Sequence, residues 1–195
     1  MELSKDLLAR QEARDMAAAA EKAQQQLSRM GRQQLEKIVE AVAKAFSREA
    51  VMLAEMAVSE TGFGNVEDKT EKNRFASQKV AEAVREMKTV GILREDAENK
   101  ILEIGVPVGV IAAIVPSTNP TSTVCYKAII ALKAGNAIVF SPHPKAIACT
   151  RKAAQIVAEA AEGAGAPKGS VGCLSIPSLD GCQELMKAPS SMSHT

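Results

Sequence analysis

The alternation of short apolar runs with helical stretches after residue 108 most restricts what this chain can fold into. Residues 108–115 are almost entirely apolar and largely β-branched, the pattern of a strand buried on both faces. Pro116-Ser117-Thr118-Asn119-Pro120 breaks that run, and residues 121–134 then form a helical stretch whose only charges are Lys127 and Lys133. Gly135-Asn136 has the character of a helix C-cap and turn. Residues 137–140 make a second short buried strand, broken by Ser141-Pro142-His143-Pro144. A helix over 145–162, a Gly/Pro loop over 163–169, a strand over 171–176 and a helix over 179–187 complete the series. The order β-α-β-α-β-α predicts a parallel sheet with right-handed crossovers.

This is an α/β arrangement, half of a doubly wound, Rossmann-like parallel sheet. Ligands bind such sheets beyond the carboxyl ends of the strands. Both proline-rich breaks, 116–120 and 141–144, follow strand ends, so both are expected on one rim.

Residues 1–95 read as helices and form the N-terminal helical part. Residues 3–27 are rich in Ala, Gln, Glu and Lys, all good helix formers. Alanine dominates their apolar face, which favours packing within the domain over docking to an enzyme shell. Leu35, Ile38, Val39, Val42 and Phe46 recur at helical spacing. A short helix over 51–59 ends at Thr61-Gly62-Phe63-Gly64-Asn65. Residues 69–88 read as a fourth helix with Phe75, Val80, Val84 and Met87 facing inward. Residues 96–188 read as a strand pair or hairpin, with Ile101 to Ile104 as a strand, leading into the half-sheet. Residues 189–195 form an off-pattern tail.

Composition excludes several classes. With 46% hydrophobic and 24% charged residues the chain reads as globular. A net charge of +1 without a charged block gives no footprint for nucleic acid or an anionic membrane. The longest apolar run, 106–115, holds Pro107 and is too short to span a bilayer. The polar N-terminus has no signal-type segment, so a cytoplasmic location is expected. Cys125, Cys149, Cys173 and Cys182 form no C-x-x-C pair, and two histidines are present, so no zinc site is expected. The thiols read as free, packing as small hydrophobes, and Cys125 has no neighbouring acid or histidine to activate it.

Two readings stand for each rim motif. Asn119 before Pro120 is a favoured N-cap ahead of a favoured first helical residue; alternatively its amide N–H points at a developing oxyanion. Backbone N–H groups of Ser117 and Thr118 could face a pyrophosphate, although no G-x-G-x-x-G is present. Ser141 to Pro144 is a rigid turn with few backbone donors, and His143 is either a surface residue or part of a nucleotide pocket wall.

The runs Val106-Pro107-Val108-Gly109-Val110-Ile111 and Val115-Pro116-Ser117-Thr118-Asn119-Pro120-Thr121-Ser122-Thr123 closely resemble the aldehyde dehydrogenase superfamily. The run from Leu132-Lys133-Ala134-Gly135-Asn136 through Ser141-Pro142-His143-Pro144 is similar to its CoA-acylating branch. So are Met56 to Gly64, Val66-Glu67-Asp68-Lys69 and Lys72-Asn73. The resemblance covers residues 10–188 and implies the N-terminal part of the family's coenzyme-binding domain.

The chemistry it implies converts a short aldehyde, CoA and NAD(P)+ to acyl-CoA and NAD(P)H through attack by a cysteine thiolate. Asn119 is then the oxyanion donor, or Thr118 if the match is gapless. Val115, Pro116, Ser117 and Thr118 line the nicotinamide side, and Ser141, Pro142, His143 and Pro144 the adenosine side. Hydrolytic relatives carry Lys-Pro-Ser-Glu where this chain has Ser-Pro-His-Pro, which leaves NAD versus NADP open, with NAD favoured. The family's nucleophile segment is expected beyond residue 188, and none of the four cysteines matches it. The chain is therefore expected to be inactive alone. The alternatives are a non-catalytic nucleotide-binding module, or a subunit that forms homo-oligomers or pairs with a full-length homologue. Some relatives work inside bacterial microcompartments.

Overall fold

The computed structural model describes residues 4–188; the tail 189–195 lies outside the described residues. Helix α1 (Lys5–Leu27) starts at Ser4, whose hydroxyl accepts from the Leu7 N–H at 3.4 Å. Its face of Ala9, Ala13, Ala17, Ala20 and Leu27 is buried. Helix α2 (Arg32–Arg48) buries all five residues of the predicted apolar stripe. Helix α3 (Ala50–Thr61) ends where Gly62 turns left-handed, φ 70°.

Helix α4 (Val66–Arg74) starts three residues before the expected position. Asn65 caps it, accepting from the Asp68 N–H and donating to the Asp68 carboxylate, both at 2.8 Å. That reciprocal pair is a start signal hidden inside what reads as a turn. The expected single helix is also interrupted. A π-helical turn (Phe75–Lys79) precedes the short α5 (Val80–Val84). Val80 and Val84 pack on the core as expected, but Phe75, which opens the widened turn, and Met87, which lies past the end of α5, are exposed.

Strands β1 (Gly91–Asp96) and β2 (Ile101–Gly105) form an antiparallel hairpin. β1 begins inside the stretch that reads as helical. The hairpin has little burial on either side, with Ile92, Ile101, Leu102 and Ile104 exposed. Neither face imposes the alternation by which a strand is recognised.

The remaining elements are β3 (Val110–Ile114), α6 (Pro120–Lys133), β4 (Ala137–Ser141), α7 (Ile147–Gly163), β5 (Val171–Cys173) and α8 (Leu179–Lys187). The three strands form a parallel sheet in the order β3-β4-β5. Central β4 is buried at every position. Helix α1 crosses all three strands and packs against α8, while α6 and α7 pack on the sheet and on each other, with α2 over both. The α1 helix is thus part of the core, as its alanine face implied.

Expectation and structure differ at β3 and β5. β3 is an edge strand, and its Ala112 and Ile114 are exposed rather than buried. β5 is shorter than the expected 171–176: past Leu174 the backbone leaves the ladder, and Glu12 of α1 accepts the Ser175 and Ile176 N–H groups at 2.8 and 3.0 Å.

At the opposite end, Gly135 has φ 72°, and a Cβ there would come within 3.0 Å of Pro107. The adjoining Asn136 accepts from the Gly109 N–H at 3.0 Å, fixing where β3 begins against β4.

Candidate functional site

The parallel register pairs Ile114 with Ser141. The Val115 N–H donates to the Ser141 carbonyl at 3.0 Å, so the two strands end level. The breaks 116–120 and 141–144 therefore lie on one rim of the sheet, as expected. Within them the residues play unequal parts. Val115, Ser141 and Pro142 are buried. Ser117, Asn119 and His143 are half-buried, and Pro116, Thr118 and Pro144 are exposed. His143 folds onto its own turn, its Nδ1 accepting from the Lys145 N–H at 3.0 Å.

Asn119 occupies the N-cap position of α6 but makes no side-chain cap bond; its backbone stands at φ −140°, ψ 59°. Asn119 thus holds the N-cap position expected of it, ahead of Pro120, without the expected side-chain cap bond. Its backbone carbonyl takes the Thr123 N–H and hydroxyl at 3.2 and 2.6 Å, while its Oδ1 accepts from Lys72 Nζ at 3.2 Å. One turn earlier on α4, Lys69 Nζ donates to the Thr118 carbonyl at 2.7 Å. Asn73 completes the contact, accepting from the Thr121 hydroxyl at 2.8 Å and donating to the Ala50 carbonyl at 2.9 Å.

Lys69 is only 5% exposed and has no carboxylate partner among the described residues. Burial, and then the like charge of Lys72, lower its pKa below the usual lysine value. Lys133, the other deeply buried lysine, instead meets the Glu36 carboxylate at 3.0 Å and the Arg85 carbonyl at 2.9 Å.

The second rim turn is held from the same side. Both oxygens of Glu60, at the end of α3, accept from the start of α7: the Ala148 and Cys149 N–H groups, each at 2.8 Å. Burial alone would raise the Glu60 pKa, but hydrogen bonds from Cys149, Ala148 and Ile147 outweigh it and hold the carboxyl below its usual value. The carboxylate therefore serves as the cap that Ala146 cannot supply. Burial, then Glu60, push the Cys149 thiol up to about 12. Burial likewise raises Cys173 to about 12 and Cys125 well above the ordinary thiol value. These three are packing thiols, as Cys125 was expected to be.

Glu60, Lys69, Lys72 and Asn73 thus support the rim, and reading the sequence assigned them no role. Their signal lay in the α3–α4 segment, whose residues resemble the CoA-acylating branch but stand more than forty positions before the turns they hold.

A profile of the aldehyde dehydrogenase family matches residues 6–192. The chain belongs to the aldehyde dehydrogenase family. This family member is 46% identical over 168 residues to the bifunctional aldehyde-alcohol dehydrogenase of Escherichia coli K12, covering 86% of this chain and 19% of that protein. It superposes on an acetylating aldehyde dehydrogenase from Geobacillus thermoglucosidasius with TM-score 0.94 and 54% identity, over 95% of this chain and 41% of the other. An engineered glycolyl-CoA reductase with bound NADP+ superposes with TM-score 0.78 and 31% identity, over 91% of this chain and 40% of the other. The chain thus spans about a fifth of the bifunctional relative and about two fifths of the two solved structures. Among the described residues no helix is long and apolar enough to cross a membrane.

Proposed function

We propose that this chain supplies the nicotinamide-dinucleotide-binding part of an enzyme that converts a short aldehyde, CoA and NAD(P)+ to acyl-CoA and NAD(P)H in the cytoplasm. The observation that carries the reading is Asn119: a residue suited to capping a helix makes no cap bond, at the carboxyl end of a parallel strand, opposite a second turn on the same rim. An uncapped helix start and two lysines beside the 116–120 turn suit a polyanionic ligand.

In this reading Pro116, Ser117 and Thr118 face the nicotinamide half, and His143 and Pro144 the adenosine half. Val115, Ser141 and Pro142 act through the backbone and shape of the rim. The Asn119 amide donates to the aldehyde oxygen as charge develops on it. The bound dinucleotide supplies the hydride acceptor. Burial keeps the thiols of Cys125, Cys149 and Cys173 protonated, which fits a nucleophile contributed by other residues. The bifunctional and acetylating relatives support the short aldehyde and the CoA acceptor.

Titration of the purified chain with NADH, followed by nucleotide fluorescence, tests the reading. Saturable binding that NAD+ displaces more readily than NADP+ is expected. No binding at millimolar NADH refutes it.

A further inference from the structure

Asn119 stands where an Asn side chain ordinarily turns back onto the helix N–H groups. Such a cap is worth about 1 kcal/mol. Here the cap is forgone, and the only side-chain partner of Asn119 among the described residues is Lys72, on Oδ1. An amide whose oxygen is held by an ammonium directs its NH2 the other way, and the cation draws density from the nitrogen, making its N–H a stronger donor. The pose is braced from below. Lys69 fixes the Thr118 carbonyl and Asn73 fixes Thr121, so the backbone on both sides of Asn119 is tied to α4. Lys69 and Lys72 stand one turn apart with like charge, an unfavourable pairing, and Lys69 is buried without a counter-ion among the described residues. Breaks in local rules that cluster this way are expected where structure serves chemistry.

We infer that Lys72 is a positioning residue: it draws the Asn119 side chain away from the helix N–H groups and presents the Asn119 Nδ2 protons to a carbonyl oxygen at the rim. The inference rests on the dinucleotide-site reading above and adds the residue that orients its oxyanion donor. Lys72 touches no reacting atom in this arrangement and works only through the Asn119 amide.

Side-chain amide 15N–1H spectra of the full chain test it, with the Asn119 Nδ2 signals assigned by their loss in Asn119→Asp. The probe is acetamide, a neutral carbonyl acceptor of aldehyde size. In the native chain acetamide should shift the Asn119 Nδ2 signals saturably. Lys72→Met should weaken that response at least tenfold while backbone signals outside 116–122 stay in place. Lys72→Arg, which keeps a donor to Oδ1, should retain it. An undiminished response in Lys72→Met overturns the inference. So does a native chain that binds NADH but shows no Asn119 response to acetamide. Failure to bind NADH overturns the dinucleotide reading, and the inference with it; NADH fluorescence on the same samples separates the two failures.

Discussion

Glu60 offers the sharpest test of how the rim is held. Glu60→Ala removes both acceptors from the start of α7, leaving the Ala148 and Cys149 N–H groups without their 2.8 Å partners. Hydrogen bonds to a charged group are worth about 1.5–3 kcal/mol each when dry. Glu60 as a whole is an exposed residue and its carboxylate only partly buried, so solvent screening brings the total to about 2 kcal/mol, the upper end of a lost helix cap. In a chain of this size that is about 4–8 °C in Tm. Glu60→Gln keeps one acceptor without the charge and should cost about half as much. The sign with pH follows from the lowered pKa. The stabilisation is fully present above the usual carboxylate value of 4.5 and is lost as pH falls through the lower folded value. Urea unfolding of native and Glu60→Ala chains should therefore show a full gap at pH 7 and a smaller one in acid, below the usual carboxylate value of 4.5. A gap below about 0.5 kcal/mol at pH 7, or one equally wide in acid, refutes the capping argument.

Three further outcomes are expected. Lys69 titrates below the usual lysine value in the folded chain, so its charge costs stability in full below the folded pKa, and the cost is relieved as pH rises towards 10.5. The urea midpoint of Lys69→Met relative to the native chain should therefore be higher at pH 7 than at pH 10, and a pH-independent difference would count against it. Gly135→Ala forces a left-handed backbone on alanine and sets its Cβ 3.0 Å from Pro107, for a loss of about 1–2 kcal/mol by thermal unfolding. Under native conditions a thiol-specific disulfide reagent should modify half-buried Cys182 first, and Cys125, which is fully buried, only on unfolding.

The half-fold was legible because its signals are local. Residues 137–140 have no polar neighbour until Ser141, and Gly135 and the prolines mark where each element stops. The register that places Ser141 beside Ile114 follows from two strands of equal length starting just after Gly109 and Asn136. What escaped depends on distance or context. β3 reads as doubly buried because its composition matches that of β4, yet only β4 has a neighbour on each side. The hairpin 91–105 escaped in part because exposed strands carry no alternation. That the Asn119 side chain leaves the helix N–H groups uncapped was not legible, because its partner, Lys72, lies 47 residues earlier in the chain.

The segment between Glu60 and Lys69 has a mechanical consequence. It carries two left-handed glycines, Gly62 at 70° and Gly64 at 72°, between the carboxylate that grips the start of α7 and the ammonium that grips Thr118. The two turns of the rim are therefore tied to one another through this short segment as well as through the sheet, and the left-handed glycines set the spacing of the two attachments.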